Sequence, residues 1–187
     1  MSTTTTDWRD RFITHLEALK QREDRGALAD LRRGLGEPPG TVASMYRHVI
    51  PWIPQNEFLE DAAYTVASLF GLHPESGGTR TIGGALGAIK TNDANAPPES
   101  IEQRFITLLS AHEDDLPVHL RQAISLLKTH DIALDWRRLI RDIQGWTHPA
   151  RYVQRRWARD FWTRGQTTGA PTELTEDPND ASTPTEE

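Results

Sequence analysis

Residues 135–162 read DWRRLIRDIQGWTHPARYVQRRWARDFW, and their spacing decides the fold class. At about 100° per residue, Ala150, Val153, Trp157 and Phe161 fall within one arc of a helical wheel. Arg151, Arg155 and Arg159 fall together on the opposite side, with Trp162 among them. In the preceding segment Trp136, Leu139, Ile140 and Ile143 form an apolar stripe, while Arg137, Arg138 and Arg141 face away from it. This is the pattern of two neighbouring helices, each with a buried stripe and an arginine face. Asp135 is read as the N-cap of the first. Thr147 or His148 is read as the cap of the second, with Pro149 in its first turn. Trp136 and Trp157 lie in the stripes and are read as core. Trp162, among the arginines, is the better candidate for base stacking or a protein contact.

The same period runs outward from this stretch. Over residues 7–22, Trp8, Phe12, Ile13, Leu16 and Leu19 recur at three- and four-residue steps; residues 25–35 repeat the pattern with Leu28 and Leu31, and Gly34 and Gly36 are its stop. A short helix is expected over residues 41–50, confined by Pro51 and Pro54. Residues 57–72 carry Phe58, Ala62, Val66, Leu69 and Phe70 and predict a long helix. Ile82, Leu86 and Ile89 predict a short one after a glycine-rich loop. Residues 99–111 and 116–129 predict two more; Asp114 or Asp115 is read as cap of the latter, with Pro117 in its first turn. No convincing strand alternation and no internal repeat appears. The expected architecture is all-α, a two-lobed helical bundle of about eight or nine helices. Its N-terminal lobe covers residues 1–90, a linker 91–98 (around NDANAPP), its C-terminal lobe 99–164 and a disordered acidic tail 165–187.

Charge divides the last third. Residues 131–164 hold eight arginines against four acids, whereas residues 165–187 hold six acids and no base. The formal net charge of −6 therefore comes from that tail: 21 basic residues against 27 − 6 = 21 acids leaves residues 1–164 neutral. An overall acidic chain can thus carry a basic face. Six guanidiniums on two adjacent helices repel one another and are best accommodated opposite phosphates, which arginine grips with paired hydrogen bonds. The plainer reading is a solvated face neutralised by Asp142, Asp160 and the tail. Arg22, Arg25, Arg32 and Arg33 form a second basic cluster, with Glu23, Asp24 and Asp30 among them as surface ion-pair partners. Arg104, Arg121 and Lys128 lie off the apolar stripes of their helices.

Other chemistry is poorly supported. With no cysteine, disulfides, thiolate zinc sites and cysteine nucleophiles are excluded. The first residues have no apolar stretch, so no signal peptide is expected, and no segment approaches the ~20 apolar residues of a membrane helix. A soluble, cytoplasmic protein with no membrane partner is the expectation. His112-Glu113-Asp114-Asp115 has metal-ligand chemistry, but its place between two helices favours capping and loop solvation. Residues 77–84 resemble a phosphate cradle without the Gly-Lys-Ser/Thr ending or a preceding strand, and are read as a flexible loop. No cofactor or metal is expected, and nothing positively signals catalysis.

Five runs taken in order carry a resemblance. They are residues 25–34 (RGALADLRRG), 102–109 (EQRFITLL), 120–128 (LRQAISLLK), 135–142 (DWRRLIRD) and 153–162 (VQRRWARDFW). The set resembles the CasB family, the small subunit of the type I-E CRISPR Cascade complex, over about residues 8–164. The resemblance implies an all-helical, two-lobed, non-enzymatic protein. It implies other Cascade subunits and a second copy of the chain as partners. It also implies contact with crRNA and target DNA, stabilising the R-loop and the displaced strand. By matching position, Arg25, Arg32 and Arg33 would belong to an N-terminal basic patch. Arg104, Arg121, Lys128, Arg137, Arg138, Arg141, Arg155 and Arg159 would belong to a C-terminal one. Arg151 joins the second set by its place on the wheel. Two alternatives stand beside this reading: a scaffold whose arginines meet acidic protein surfaces, and a metal-dependent hydrolase using residues 112–115.

Overall fold

A computed structural model describes residues 7–92 and 98–163. Of the expected linker 91–98, residues 93–97 lie outside the described residues, as do Arg164 and the acidic tail 165–187; residues 91–92 end α5 and residue 98 begins α6. Among the described residues there are nine α-helices and no β-strand; one isolated parallel bridge joins Ser76 and Leu134.

The helices begin where short polar side chains accept the first free amides. Helix α1 (Trp8–Gln21) starts at Asp7, whose carboxylate accepts from the Arg9 amide at 3.1 Å. It buries Phe12, Ile13, Leu16 and Leu19. Helix α2 (Arg25–Arg32) starts at Asp24, which accepts from the Ala27 amide at 2.9 Å. The short helix expected over residues 41–50 is divided: a 3-10 turn Ala43–Met45, α3 (Tyr46–Val49) and a second 3-10 turn Ile50–Trp52. Pro51 within that last turn has no amide to extend α3.

Helix α4 (Glu57–Leu72) is the centre of the molecule. Every residue from Ala62 to Gly71 is buried, so this helix is covered on all sides rather than along one stripe. It packs on α2 through Gly71, where a Cβ would stand 2.9 Å from the Arg32 amide nitrogen. Its other sides meet α7 (Leu116–Thr129) and α8 (Trp136–Gln144). The segment after α4 is stitched to the start of α8. The His73 ring Nε2 lies 2.9 Å from the Ile132 carbonyl, and the Glu75 carbonyl accepts from Trp136 Nε1 at 2.7 Å.

Helix α5 (Ile82–Asn92) follows the glycine-rich stretch, and α6 (Pro98–Ser110) follows the undescribed residues. Helix α9 (Tyr152–Thr163) lies against α5. Gly78 and Gly83, within residues 77–84, have a packing role, not the flexibility expected of that stretch, and Gly87 packs in the same way. A Cβ on Gly83 would stand 2.7 Å from the Trp157 carbonyl carbon, and one on Gly87 2.8 Å from the Phe161 carbonyl oxygen. Gly78 meets the Ala133–Leu134 backbone in the same way. Because Gly83 and Gly87 rise with Trp157 and Phe161, α5 and α9 run parallel. One hydrophobic cluster contains buried residues of all nine helices, and the packing of α4 on α7, α4 on α8 and α5 on α9 crosses chain positions 91–98.

Two expectations about helix starts are corrected. Helix α9 begins at Tyr152, not after Thr147 or His148; Arg151 has φ +47°, which breaks the helical path and leaves Pro149 and Ala150 in an exposed turn. At α7, Asp115 sits in the capping place but its side chain makes no capping hydrogen bond.

Candidate nucleic-acid interface

Helix α9 buries Val153, Trp157 and Phe161 and leaves Arg155 and Arg159 exposed, as its wheel requires. The two acids nearest in sequence do not neutralise them. Asp142, buried at the α8–α9 junction, accepts hydrogen bonds from Arg156 Nη2 and from Trp157 Nε1 (2.6 Å). Burial pushes its carboxyl above the usual carboxylate range, and these two donors and the charge of Arg138 act against that shift. Asp160 accepts from the Thr81 hydroxyl at 2.6 Å, and that hydroxyl also accepts from the Gly84 amide at 3.1 Å. Thr81 thus caps the start of α5 and fixes it to α9. With both carboxylates engaged inside the fold, Arg138, Arg155 and Arg159 have no ion-pair partner among the described residues.

The outer face of α8 differs from the expectation of three free guanidiniums. Arg137 pairs with both carboxylate oxygens of Glu17 on α1, at 2.9 and 2.8 Å, and donates to Thr14 Oγ1 at 3.0 Å. Arg141 reaches Asp10 at 3.1 Å and Asp7 at 3.4 Å. Arg9 adds a bond to Gln144 at 2.6 Å. These are the cross-links of the α1–α8 seam. The wheel could not show them, because it places residues relative to their own helix and not to a neighbour's acids.

The N-terminal cluster centres on Asp30, which is buried rather than a surface partner. It accepts from Arg33 Nη1 and Arg47 Nη2, with His48 Nε2 at 3.5 Å. The hydrogen bond from Arg47 holds its carboxyl below the usual range, against the opposing effect of burial. The side chains of Arg33 and Arg47 are 63% and 70% exposed while that of Asp30 is 8% exposed. One carboxylate therefore leaves two outward guanidiniums with a net positive charge. Arg32 donates to the Gly71 carbonyl at 2.7 Å, and Arg25 is exposed at the start of α2.

The remaining expected residues are dispersed. Arg104 on α6 and Arg121 and Lys128 on α7 are exposed, with no ion pair among the described residues. Arg121 lies beside Gly36 at the rim of a cleft of about 700 Å³. Arg151 turns back and donates to the Leu109 carbonyl at 2.6 Å, so it leaves the Arg155–Arg159 line. The structure separates the arginines into an α9 group, an α1–α8 seam and an Asp30 group; α9 packs on α5, and α2 on α4.

Two candidates went unread in the sequence. Arg47 belongs to a four-residue helix with no periodicity to place it. Arg80 is exposed immediately before Thr81, which fastens its loop to Asp160 of α9; only that tertiary contact brings it near the α9 group. Trp162 is 41% exposed, its inner side against the rings of Phe105 (5.6 Å) and Phe161 (5.0 Å). Trp136 and Trp157 are fully buried core. His112 Nδ1 is 3.1 Å from Asp114 Oδ2, both exposed, and no group of three potential metal ligands occurs among the described residues. No helix among them is long and apolar enough to cross a membrane.

The family model for CRISPR-associated protein Cse2 matches residues 27–162. A curated CRISPR-associated protein Cse2 from Thermus thermophilus is 32% identical over 160 residues, covering 83% of this chain and 90% of that protein. CasB from Thermus thermophilus superposes with a TM-score of 0.71 at 32% identity, covering 87% of this chain and 99% of its own. A chain of a CRISPR RNA-guided surveillance complex superposes with a TM-score of 0.73 at 27% identity, covering 86% and 94%.

Proposed function

The chain belongs to the CRISPR-associated Cse2 family, and from that premise we propose that it is a non-catalytic subunit of an RNA-guided surveillance complex, Cascade, that holds nucleic-acid backbone against its free arginines. One observation carries the reading. Arg138, Arg155 and Arg159 have no carboxylate partner among the described residues, because the acids beside them are engaged within the fold. Guanidiniums on stiff helices suit phosphates, and phosphate contacts position nucleic acid without reading its sequence. Sequence choice is left to the guide RNA. Exchange of a DNA duplex for an RNA–DNA duplex is nearly balanced in free energy, so a few backbone contacts suffice to tip it toward the R-loop.

Arg25, Arg32, Arg33, Arg104, Arg121 and Lys128 supply further positive charge in this reading, with Arg47 and Arg80 added. Arg137 and Arg141 are assigned to the α1–α8 seam instead. A scaffold role draws support from a different observation: Phe58 and Val118, 55% and 52% exposed, line the cleft between α4 and α7. Such apolar exposure favours a protein neighbour there. The two roles use different surfaces.

The test is an assembled complex carrying Arg138→Ala, Arg155→Ala and Arg159→Ala together. R-loop stability should fall, and the slope of log affinity against log salt should become shallower by about 0.7–0.9 for each phosphate no longer neutralised. The circular dichroism spectrum should be unchanged. Unaltered affinity and slope would refute the reading, and crosslinks from these positions to protein alone would favour the scaffold.

A further inference from the structure

We propose that the acidic segment 165–187 docks on the α9 arginines of its own chain and competes there with nucleic acid. The docking stands on charge and tether; the competition rests on the function proposed above. Arg155 and Arg159 are exposed cations without a carboxylate partner among the described residues, since Asp142 is held by Arg156 and Trp157 and Asp160 by Thr81. Residues 165–187, which follow Arg164 after α9, carry Glu173, Glu176, Asp177, Asp180, Glu186 and Glu187 and no base. They lie beyond the part matched by the family model, which ends at residue 162. The docking is therefore a property of this chain and not one carried by the shared fold.

The length of the tether puts this face within the segment's reach. Helix α9 ends at Thr163, so at 1.5 Å per residue Arg159 and Arg155 lie about 6 and 12 Å back along its axis. Glu173 follows Thr163 by ten positions, and ten residues can span up to about 33–36 Å. The first acids therefore reach Arg155 and Arg159 without being stretched. A short tether that can span the gap gives a local concentration in the millimolar range. The α8 guanidiniums of Arg137 and Arg141 are already taken by Asp7, Asp10 and Glu17, and the Asp30 group is carried by α2 and α3, which pack on α4. The contact is made of exposed charges, so salt screens it. A polynucleotide offers more phosphates than the segment offers carboxylates, so it displaces the segment rather than being excluded.

The absence of cysteine allows a single probe position. In the full chain, a nitroxide on Ser182→Cys should broaden the backbone amide signals of Arg155–Arg159 at about 50 mM salt and release them at about 0.5 M. A variant with the six acids changed to Gln or Asn should show no such broadening. No broadening at low salt, or broadening that survives in the neutral variant, would overturn the docking. The neutral variant should bind single-stranded oligothymidylate roughly three- to tenfold more tightly than the native chain at low salt, and equally at high salt. Equal binding at low salt would overturn the competition. If neither form bound the oligonucleotide while charge-dependent broadening persisted, the docking would stand and the nucleic-acid reading would fall.

Discussion

Replacing Gly83 by alanine should destabilise the chain by about 2 kcal/mol, although alanine is much the better helix former. The two tendencies oppose each other, and the structure decides between them. Gly83 is the second residue of α5, and a Cβ there would stand 2.7 Å from the Trp157 carbonyl carbon and 2.9 Å from its Cα. Both atoms belong to the backbone of α9, which cannot rotate aside as a side chain would. The helices must separate, and forced separation of a packed interface costs roughly 1–3 kcal/mol. Gly26 supplies the control. It is also the second residue of its helix, but the nearest atom to its Cβ would be Asp24 Oδ1 at 3.5 Å, an ordinary contact. Gly26→Ala should therefore stabilise by up to about 1 kcal/mol. For a chain of this size each kcal/mol moves Tm by about 2–4 °C, so the two variants should move it in opposite directions in a thermal melt followed by circular dichroism. Gly83→Ala should also weaken nucleic-acid binding although it removes no charge, because it shifts the helix that carries Arg155 and Arg159. A Gly83→Ala chain that melts above the native one would refute the close α5–α9 approach.

Asp142→Ala strands the Trp157 Nε1–H and the Arg156 guanidinium near a site where the carboxylate side chain was 3% exposed. Urea denaturation should show a loss of about 2–4 kcal/mol. Glu17→Gln removes the partner of Arg137 in a partly exposed seam, so it should cost only about 0.5–1 kcal/mol, with the difference shrinking in about 1 M salt. Asp30 has a carboxyl held below its ordinary value of 3.8, chiefly by the Arg47 hydrogen bond. A depressed folded pKa contributes stability that is present above the unfolded value and is lost as pH falls through the folded one. Asp30→Asn should therefore narrow the stability difference between neutral pH and pH below 3.8, measured by denaturant titration at each pH.

The helices were legible because their periodicity is a property of each segment alone. Residues 57–72 and 116–129 match α4 and α7 end to end, and Asp135 caps α8 as its position requires. Legibility ended where tertiary contacts overrule local preference. Arg151 looks like a helical residue on a wheel, yet it takes a positive φ and donates to Leu109 of α6. Gly83 reads as loop chemistry, because its reason lies on a helix about seventy residues further along the chain. The site was legible in the same measure. Exposure of Arg155 and Arg159 follows from the stripe opposite them, whereas the pairing of Arg137 and Arg141 depends on acids of α1 and its cap. No pattern within residues 135–144 contains that information.

The parallel seating of α5 against α9 has a consequence for biosynthesis. The helix that carries Arg155 and Arg159 begins at residue 152, and the glycine-bearing surface of α5 that receives it is complete by residue 92. While α9 is still within the ribosome, that surface is bare, and Ile82, Ala85, Leu86 and Ile89 lack part of their cover. Domains generally complete their folding as units, so the arginine face takes its final form only once α9 has packed on α5.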